Sequence, residues 1–329
     1  MAFLVVSVII NGWEISIVYL KNIFIILLLL SVVCLNAQQD PEFSQNTNVI
    51  GLYNPGSAGS MDQICLTAVH REQWVGFTGA PSSSFFNANG SFNLFGANHG
   101  AGISILNDSY GFNTDLAISA SYAYRIDLGS GKLGIGFNAG ILNKALNPEW
   151  NIPEGLGDVQ GDPSIPKNNE SRVAFDMGLG AFYRSEQIFF GVSVTHLNKA
   201  RIKYEDATPY MVRHYYATAG YRLQLINPLY EIMPSFVIKT DGNANQLYLN
   251  TMLRYNKKFW GGVSYRAGDA IVGLFGLELF NGLRITYSYD VVTSRISKYS
   301  DGSHEFSLGY CFDVSLDKTP QKYKSVRFL

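Results

Sequence analysis

The sequence predicts an all-β protein, a transmembrane antiparallel β-barrel of about fourteen strands and of the outer-membrane type. Three observations carry that expectation. Apolar and polar residues alternate with period 2 in run after run, the runs are long enough to cross a hydrocarbon layer, and the long connectors collect on one side. Composition agrees: aromatics make up 14% of the chain, with 20 Tyr and 21 Phe, Gly reaches 32, and charged residues fall to 16%, against a usual share of about 25%. Net charge is -1, so no bulk field draws a nucleic acid to the surface, and none is expected as a partner. At 329 residues the chain could be one large domain or two, since all-β barrels often reach this length as one domain.

The chain opens with an export signal. "LKNIFIILLLLSVVCLNAQQ" carries the basic Lys21, an apolar stretch from Ile23 to Val33 and the small Ala37 ahead of Gln38, which reads as a signal peptide region over residues 1–37 with a core too short for an ordinary membrane span. Residues 1–19 fit poorly upstream of it, and Leu20 directly precedes "KNIF". Translation is therefore expected to start at Leu20 from a non-ATG leucine codon, leaving 1–19 untranslated. A rival reading joins Ile15 to Val33 into one signal anchor, interrupted by Lys21 and Asn22. A lipoprotein reading through Cys34 is weaker, because Val33 stands where a small residue is expected. Beyond the leader, residues 38–61 read as a periplasmic N-terminal segment, 62–312 as the barrel and 313–329 as a C-terminal tail.

The strands follow in order near residues 62–73, 83–95, 99–107, 114–126, 132–144, 173–184, 187–196, 213–224, 229–239, 245–255, 258–266, 270–279, 283–292 and 303–312. Their logic is clearest in the fourth to sixth. Leu116, Ile118, Ala120, Tyr122, Tyr124 and Ile126 share one face against Ala117, Ser119, Ser121, Ala123 and Arg125. Leu133, Ile135, Phe137, Ala139 and Ile141 then oppose Gly134, Gly136, Asn138 and Gly140, and Val173, Phe175, Met177, Leu179, Ala181 and Tyr183 oppose Ala174, Asp176, Gly178, Gly180 and Arg184. One face suits lipid and the other is small, polar or charged. Most runs are about 9 to 14 residues, the length a tilted strand needs in a bilayer. An even number closes a barrel with no edge left unpaired.

Connector lengths give a second test. One side carries "FGAN", "LGSG", "RSEQ", "INP", "NKK" and "FNG"; the other carries "GFTGAPS", "NDSYGF", the stretch from Ala145 to Arg172, the stretch from Leu197 to Val212, "DGNAN", "AGD" and "TSRISKYSDGS". Short turns face the periplasm and longer loops the outside in barrels of this type. Aromatics on the lipid face add interfacial girdles: Tyr183, Tyr221, Tyr255, Tyr310 and Phe312 at inward ends, with Tyr215, Tyr265, Tyr287 and Tyr289 nearer outward ends. A soluble β-sandwich would also alternate, yet it would rarely expose so many tyrosines with so few charges.

The inward-facing register holds Arg71, Arg125, Asp176, Arg184, Arg222, Arg254, Arg266, Glu278, Arg284, Asp290 and Glu305. Charges away from bulk water need partners, so these residues are expected to form a lumen ion-pair network, in a wet or plugged interior rather than a selective ion path. The Gly-rich inner faces leave room for water or for an inserted loop. Beyond Cys34 in the leader, the cysteines are Cys65 and Cys311, in the first and last strands, on the inward register and near the same end. In an exported chain they form either a disulfide across the barrel seam or two free, small hydrophobic thiols.

No catalytic, cofactor or metal site is expected. His70, His99, His196, His214 and His304 are scattered, with no GxSxG, HExxH or CxxC near them. Each reads as a strand-end or interface residue, and "GDVQGDPS" lacks the spacing of a calcium loop. A barrel enzyme would need Ser, His and acid clustered at the rim; a diffusion porin or uptake channel would need an open lumen.

Several strings, in order, resemble the PorP/SprF family of type IX secretion system membrane proteins: "QQDPEFSQ", "LYNPGSAGS", "HREQWVGFTGAP", "ISILND" followed by "YG", "VSYRAGDA", "YSYD" and "GSHEFSLGY". The likeness runs from Gln38 to about Phe312; "PGSAG" replaces a bulkier middle, and the tail from Asp313 has no counterpart. The resemblance implies a non-enzymatic barrel in the outer membrane of a Gram-negative, Bacteroidetes-type bacterium, in contact with outer-membrane lipid. It also implies a role in protein secretion or gliding motility, and partners among the secretion machinery, including its periplasmic ring components. The cargo it implies is a secreted protein or adhesin with a C-terminal sorting domain. On this chain the candidate partner-binding or plug residues are Asn54, Pro55, Gly59, Gln73, Trp74, Gly76, Gly79 and Pro81. Pro55 and its neighbouring glycines suit a shaped docking loop. Trp74 is expected at the membrane boundary, with Gly76 to Pro81 turning the chain toward the second strand.

Overall fold

In the computed structural model the described residues are 40–148, 168–204, 208–279 and 282–313. The leader (1–37), most of the tail, and the "GDVQGDPS" stretch lie outside them. Strands run in chain order as β1 (Ile64–Glu72), β2 (Ser82–Leu94), β3 (Ala97–Tyr110), β4 (Asn113–Leu128), β5 (Gly131–Leu146), β6 (Glu170–Arg184), β7 (Ile188–Thr195) and β8 (His214–Tyr221). They continue as β9 (Leu223–Gln224), β10 (Tyr230–Thr240), β11 (Asn245–Tyr255), β12 (Phe259–Arg266), β13 (Ala270–Leu279), β14 (Leu283–Val292) and β15 (Ser303–Phe312). The two-residue β9 prolongs β8 past Arg222 along the same neighbour, β10, so the wall has fourteen staves.

Each stave pairs antiparallel with the next, and β15 pairs with β1, which closes the sheet. Closure satisfies every backbone edge without water, the condition for crossing a hydrocarbon layer with strands. Parity assigns the faces. Ile103, Ile118, Phe137, Phe175, Val192 and Phe275 stand exposed on the outside, while Arg71, Arg266, Ser264, Ser288, Asp290 and Glu305 are buried within. The outer face is the apolar band of a barrel in lipid.

Two details differ from the sequence expectation. The loop expected at "NDSYGF" shrinks to a turn at Gly111 and Phe112, because β3 and β4 pair out to Tyr110 opposite Asn113. Polar Asp108 belongs to the strand, its carboxylate accepting a hydrogen bond from Ser83 Oγ across the sheet. Tyr183, expected in the inward girdle, is 7% exposed; it stacks on Phe190 with centroids 5.0 Å apart, and its hydroxyl donates to the Leu128 carbonyl.

The larger correction concerns the segment expected in the periplasm. From Asp40 to Met61 the described chain lies inside the barrel. Phe43, Ser44, Gln45, Val49, Tyr53, Asn54 and Ala58 are buried, around a single helical turn at Ile50–Tyr53 and a 3-10 turn at Pro55–Ser57. The physical reason is an apolar patch within the wall. Phe43, Val49 and Tyr53 join Val69, Phe85, Tyr216, Val237 and Tyr248 in one core, with Tyr53 stacked on Tyr216 at 4.8 Å and Phe43 against Phe85 at 6.2 Å. Burying such side chains stabilises by about 1.5–3 kcal/mol each, a strong pull inward for an apolar segment.

Candidate functional site

The segment is held at three places. The first is built from the strings that resemble one family. Arg71, of "HREQ", donates from Nη1 to Ser44 Oγ at 2.7 Å and Glu305 Oε2 at 3.2 Å, and from Nη2 to Asp290 Oδ2 at 2.8 Å. Arg266, of "SYRAGD", donates from Nη2 to the same Ser44 Oγ at 2.7 Å and to Asp290 Oδ2 at 3.1 Å, and from Nη1 to Asp269 at 2.7 Å. Ser44, of "EFSQ", donates its hydroxyl to Asp290 of "YSYD" at 2.7 Å. The backbone N–H groups of Ser44 and Gln45 donate to the two carboxylate oxygens of Glu305, in "SHEF", at 2.6 and 2.8 Å. Two guanidinium groups thus face the two carboxylates Asp290 and Glu305 with no more than 1% of any of these side chains exposed. In that dry setting charge balance and multiple hydrogen bonds are what make the cluster tolerable.

The second place is a wall of glycines. The 3-10 turn lies flat on β4, β5 and β6, backbone to backbone. A Cβ on Gly136 would sit 2.6 Å from Pro55 C, one on Gly134 would overlap the Gly56 carbonyl, and one on Gly100 would overlap that of Ala58. Asn54 fastens the turn: its Oδ1 accepts from Gly56 N at 3.0 Å, and its Nδ2 donates to the Ala181 carbonyl at 3.1 Å. The room left by small residues is filled by the inserted chain.

The third is at the ends. Arg125 Nη1 donates to the Gly59 carbonyl, and to Asp62 Oδ1 at 2.6 Å. At the other end, Asp40 meets His196 Nε2 at 2.8 Å and His214 Nδ1 at 3.4 Å, with Asp176 3.0 Å from the other nitrogen of His196. Burial opposes charge on both Asp40 and His196, yet the pairing prevails. The Asp40 and Asp176 carboxylates push His196 up to about 10, and His196, His214 and Lys239 hold Asp40 well below the carboxylate range. His196 and His214, read from the sequence as scattered, are therefore neighbours.

The inward-facing charges divide into several groups. Arg71, Arg266, Asp290 and Glu305 make the anchor; Arg125 holds Asp62; Asp176 faces His196; and Arg254 Nε lies 3.3 Å from Glu231. Arg284 stands opposite Glu278 in the ladder. Among the described residues, Arg184 and Arg222 have no carboxylate within ion-pair distance; with Arg254 and Arg284 they line a cavity of about 310 Å³ at the short-turn end.

Of the candidate docking residues, Asn54, Pro55 and Gly59 sit in the lumen on the glycine wall, whereas Gln73 to Pro81 lie at the long-loop end. There Gln73 N donates to the Pro81 carbonyl, closing the loop. Val75 pairs with Gly302 and Asp301 of the loop before β15, and Trp74 N donates to Ser303 Oγ at 3.0 Å. Gly76 and Gly79 have φ of 92° and 76°, the left-handed region that glycine enters without strain. Cys65 and Cys311 stand opposite each other in the seam, Cα atoms 4.1 Å apart and joined as a disulfide. The intact protein is expected to be lighter by two hydrogens before reduction than after; equal masses with both thiols alkylated would exclude the bond.

Sequence reasoning missed Asp40, Ser44, Gln45 and Glu42, whose carboxylate lies 3.5 Å from Arg266 Nη1, as the anchoring side. The only signal was that "QQDPEFSQ" is polar yet belongs with the other strings, since no periodicity marks it.

A closed barrel with an apolar outer band and its own N-terminal segment lodged inside is an integral outer-membrane protein. The profile of the type IX secretion system membrane protein PorP/SprF family matches residues 35–310, and the chain belongs to that family. Family and fold are of a non-enzymatic kind. No curated protein is a detectable sequence relative. Among solved structures the chain is similar to outer membrane protein Omp33 of Acinetobacter baumannii, at 8% identity over 76% of this chain and 99% of that one, with a TM-score of 0.45. It is also similar to the toluene transporter TbuX of Ralstonia pickettii, at 12% identity over 82% and 94%, with a TM-score of 0.48.

Proposed function

We propose that this protein is a plugged, non-enzymatic barrel of the type IX secretion or gliding machinery that binds partner proteins at its rims and assists their export or surface attachment. The supporting observation is the lodged segment 40–61. A channel for free diffusion needs an open path, whereas here Ser44 and Gln45 are tied to one side of the wall and Pro55 to Ser57 lie on the other. The partners fitting this reading are a periplasmic ring component at the short-turn mouth, and a cargo protein or adhesin with a C-terminal sorting domain. The basic lining of that mouth, with Arg184 and Arg222 lacking acidic partners among the described residues, suits an acidic partner segment. At the opposite rim the loop from Gln73 to Pro81 offers exposed Val75 and Phe77.

The purified barrel in planar bilayers is expected to show no large, steady conductance. The tagged protein pulled down from native outer membrane is expected to bring secretion-machinery proteins with it. A steady selective conductance together with an absence of protein partners would make it a porin instead.

A further inference from the structure

We propose that Asp40, His196 and His214 form a binding site for a divalent first-row transition metal ion, of which zinc is the probe, clamping the N-terminal end of the plug to the barrel wall. The three come from separate parts of the chain: Asp40 from the lodged segment, His196 from the residue after β7, and His214 from the first residue of β8. One ligand atom from each lies within 4.8 Å of the others, a spacing that closes around a single ion with small side-chain movements. The imidazole rings are 6.1 Å apart and inclined at 74°, so their nitrogens converge from different directions instead of stacking.

Three further features point to an ion. His214 is 3% exposed, and neither of its ring nitrogens has a hydrogen-bond partner among the described residues. A buried imidazole without a hydrogen bond is costly; its Nδ1 faces Asp40 at 3.4 Å, and a ligand placed between them removes much of that cost. Asp176 lies 3.0 Å from His196 Nδ1, leaving Nε2 directed at Asp40; a small turn of the ring would complete the carboxylate–histidine hydrogen bond that orients metal ligands. Asp40 itself is fixed by Tyr216, whose hydroxyl donates to Oδ2 at 2.8 Å, and by Lys239, whose Nζ donates to the Asp40 carbonyl at 2.8 Å. The Lys239 charge opposes a cation, and the carboxylate of Asp176 offsets it. Bound metal takes the place of the proton on His196 Nε2.

The donor set fixes the class of ion. Two imidazoles and a carboxylate suit zinc and its first-row neighbours, whereas calcium and magnesium take oxygen ligands. Three protein ligands leave a fourth position for water or a partner's side chain.

The test uses the folded barrel in detergent, stripped with chelator, exchanged into chelator-free buffer and titrated with zinc chloride by calorimetry. The expected result is a single zinc per barrel, bound about tenfold or more weakly by the H196Q, H214Q and D176N variants. Cobalt should give the visible absorption of a nitrogen-ligated ion, lost in H214Q. Zinc should also slow proteolysis of the lodged segment in the wild-type barrel and not in H214Q. Heat-modifiable migration on gels establishes that each variant is folded, and H70Q, altering an exposed histidine bonded to Glu72, serves as the control. Zinc binding unchanged in folded H214Q, lost instead in H70Q, or matched by magnesium would overturn the proposal, as would no binding by the wild-type barrel.

Discussion

An Arg71→Met barrel is expected to be less stable than wild type by about 3–5 kcal/mol, the usual cost of breaking a buried ion pair by removing one partner. Arg71 is fully buried and bridges Ser44, Asp290 and Glu305. Methionine fills much of the volume but leaves the Glu305 carboxylate with only the backbone donors of Ser44 and Gln45, and the Ser44 hydroxyl with one guanidinium instead of two. Urea unfolding of the detergent-solubilised barrel reads the loss. Combining Arg71→Met with Glu305→Gln should recover part of it, because the orphaned charge is then removed. A loss below about 1 kcal/mol would mean that water reaches the cluster and that it is a wet surface pair.

Gly136→Val is expected to have the opposite signature: a barrel that still folds but no longer holds its plug. The new side chain begins with a Cβ that would lie 2.6 Å from Pro55 C, so the 3-10 turn must leave the wall. The strand itself does not suffer, since valine favours the extended backbone. Bilayer recording should show conductance that the wild type lacks, and added protease should cut the chain between residues 40 and 61 faster. If Gly136→Val stayed closed and resistant, the turn would not be what fills that side of the lumen. Together the two variants separate the strength of the wall from the occupancy of its interior.

Much of the wall was readable in advance because a strand has period 2. Once one lipid-facing residue of a strand is recognised, parity fixes the face of every other residue in that strand, and Arg71, Arg266, Asp290 and Glu305 all lie inside as expected. Parity does not give height. Which arginine meets which carboxylate depends on the stagger between strands, and parity alone therefore does not show how the expected network divides into separate groups. The polar run from Asn107 to Ser109 resembled a loop, although near a rim such side chains can point to Ser83 or water without leaving the strand. Residues 38–61 were the least legible. They have no periodicity, and nothing local distinguishes a segment that waits outside a barrel from one whose Phe43, Val49 and Tyr53 complete a core within it. The resemblance recognised their strings without revealing that those strings meet.

The anchor also imposes a sequence of events on assembly. Ser44 and Gln45 bind side chains from β1, β12, β14 and β15, and β1 and β15 are neighbours only across the seam. In an open sheet that receptor is split into two distant halves. The Ser44 and Gln45 end of the lodged segment therefore completes its contacts only after the final strand has arrived, and its seating is a chemical report that the cylinder has shut in register. A chain ending before β15 would lack Glu305, the acceptor for the backbone N–H groups of Ser44 and Gln45, and its anchor would stay incomplete however well the other strands had paired.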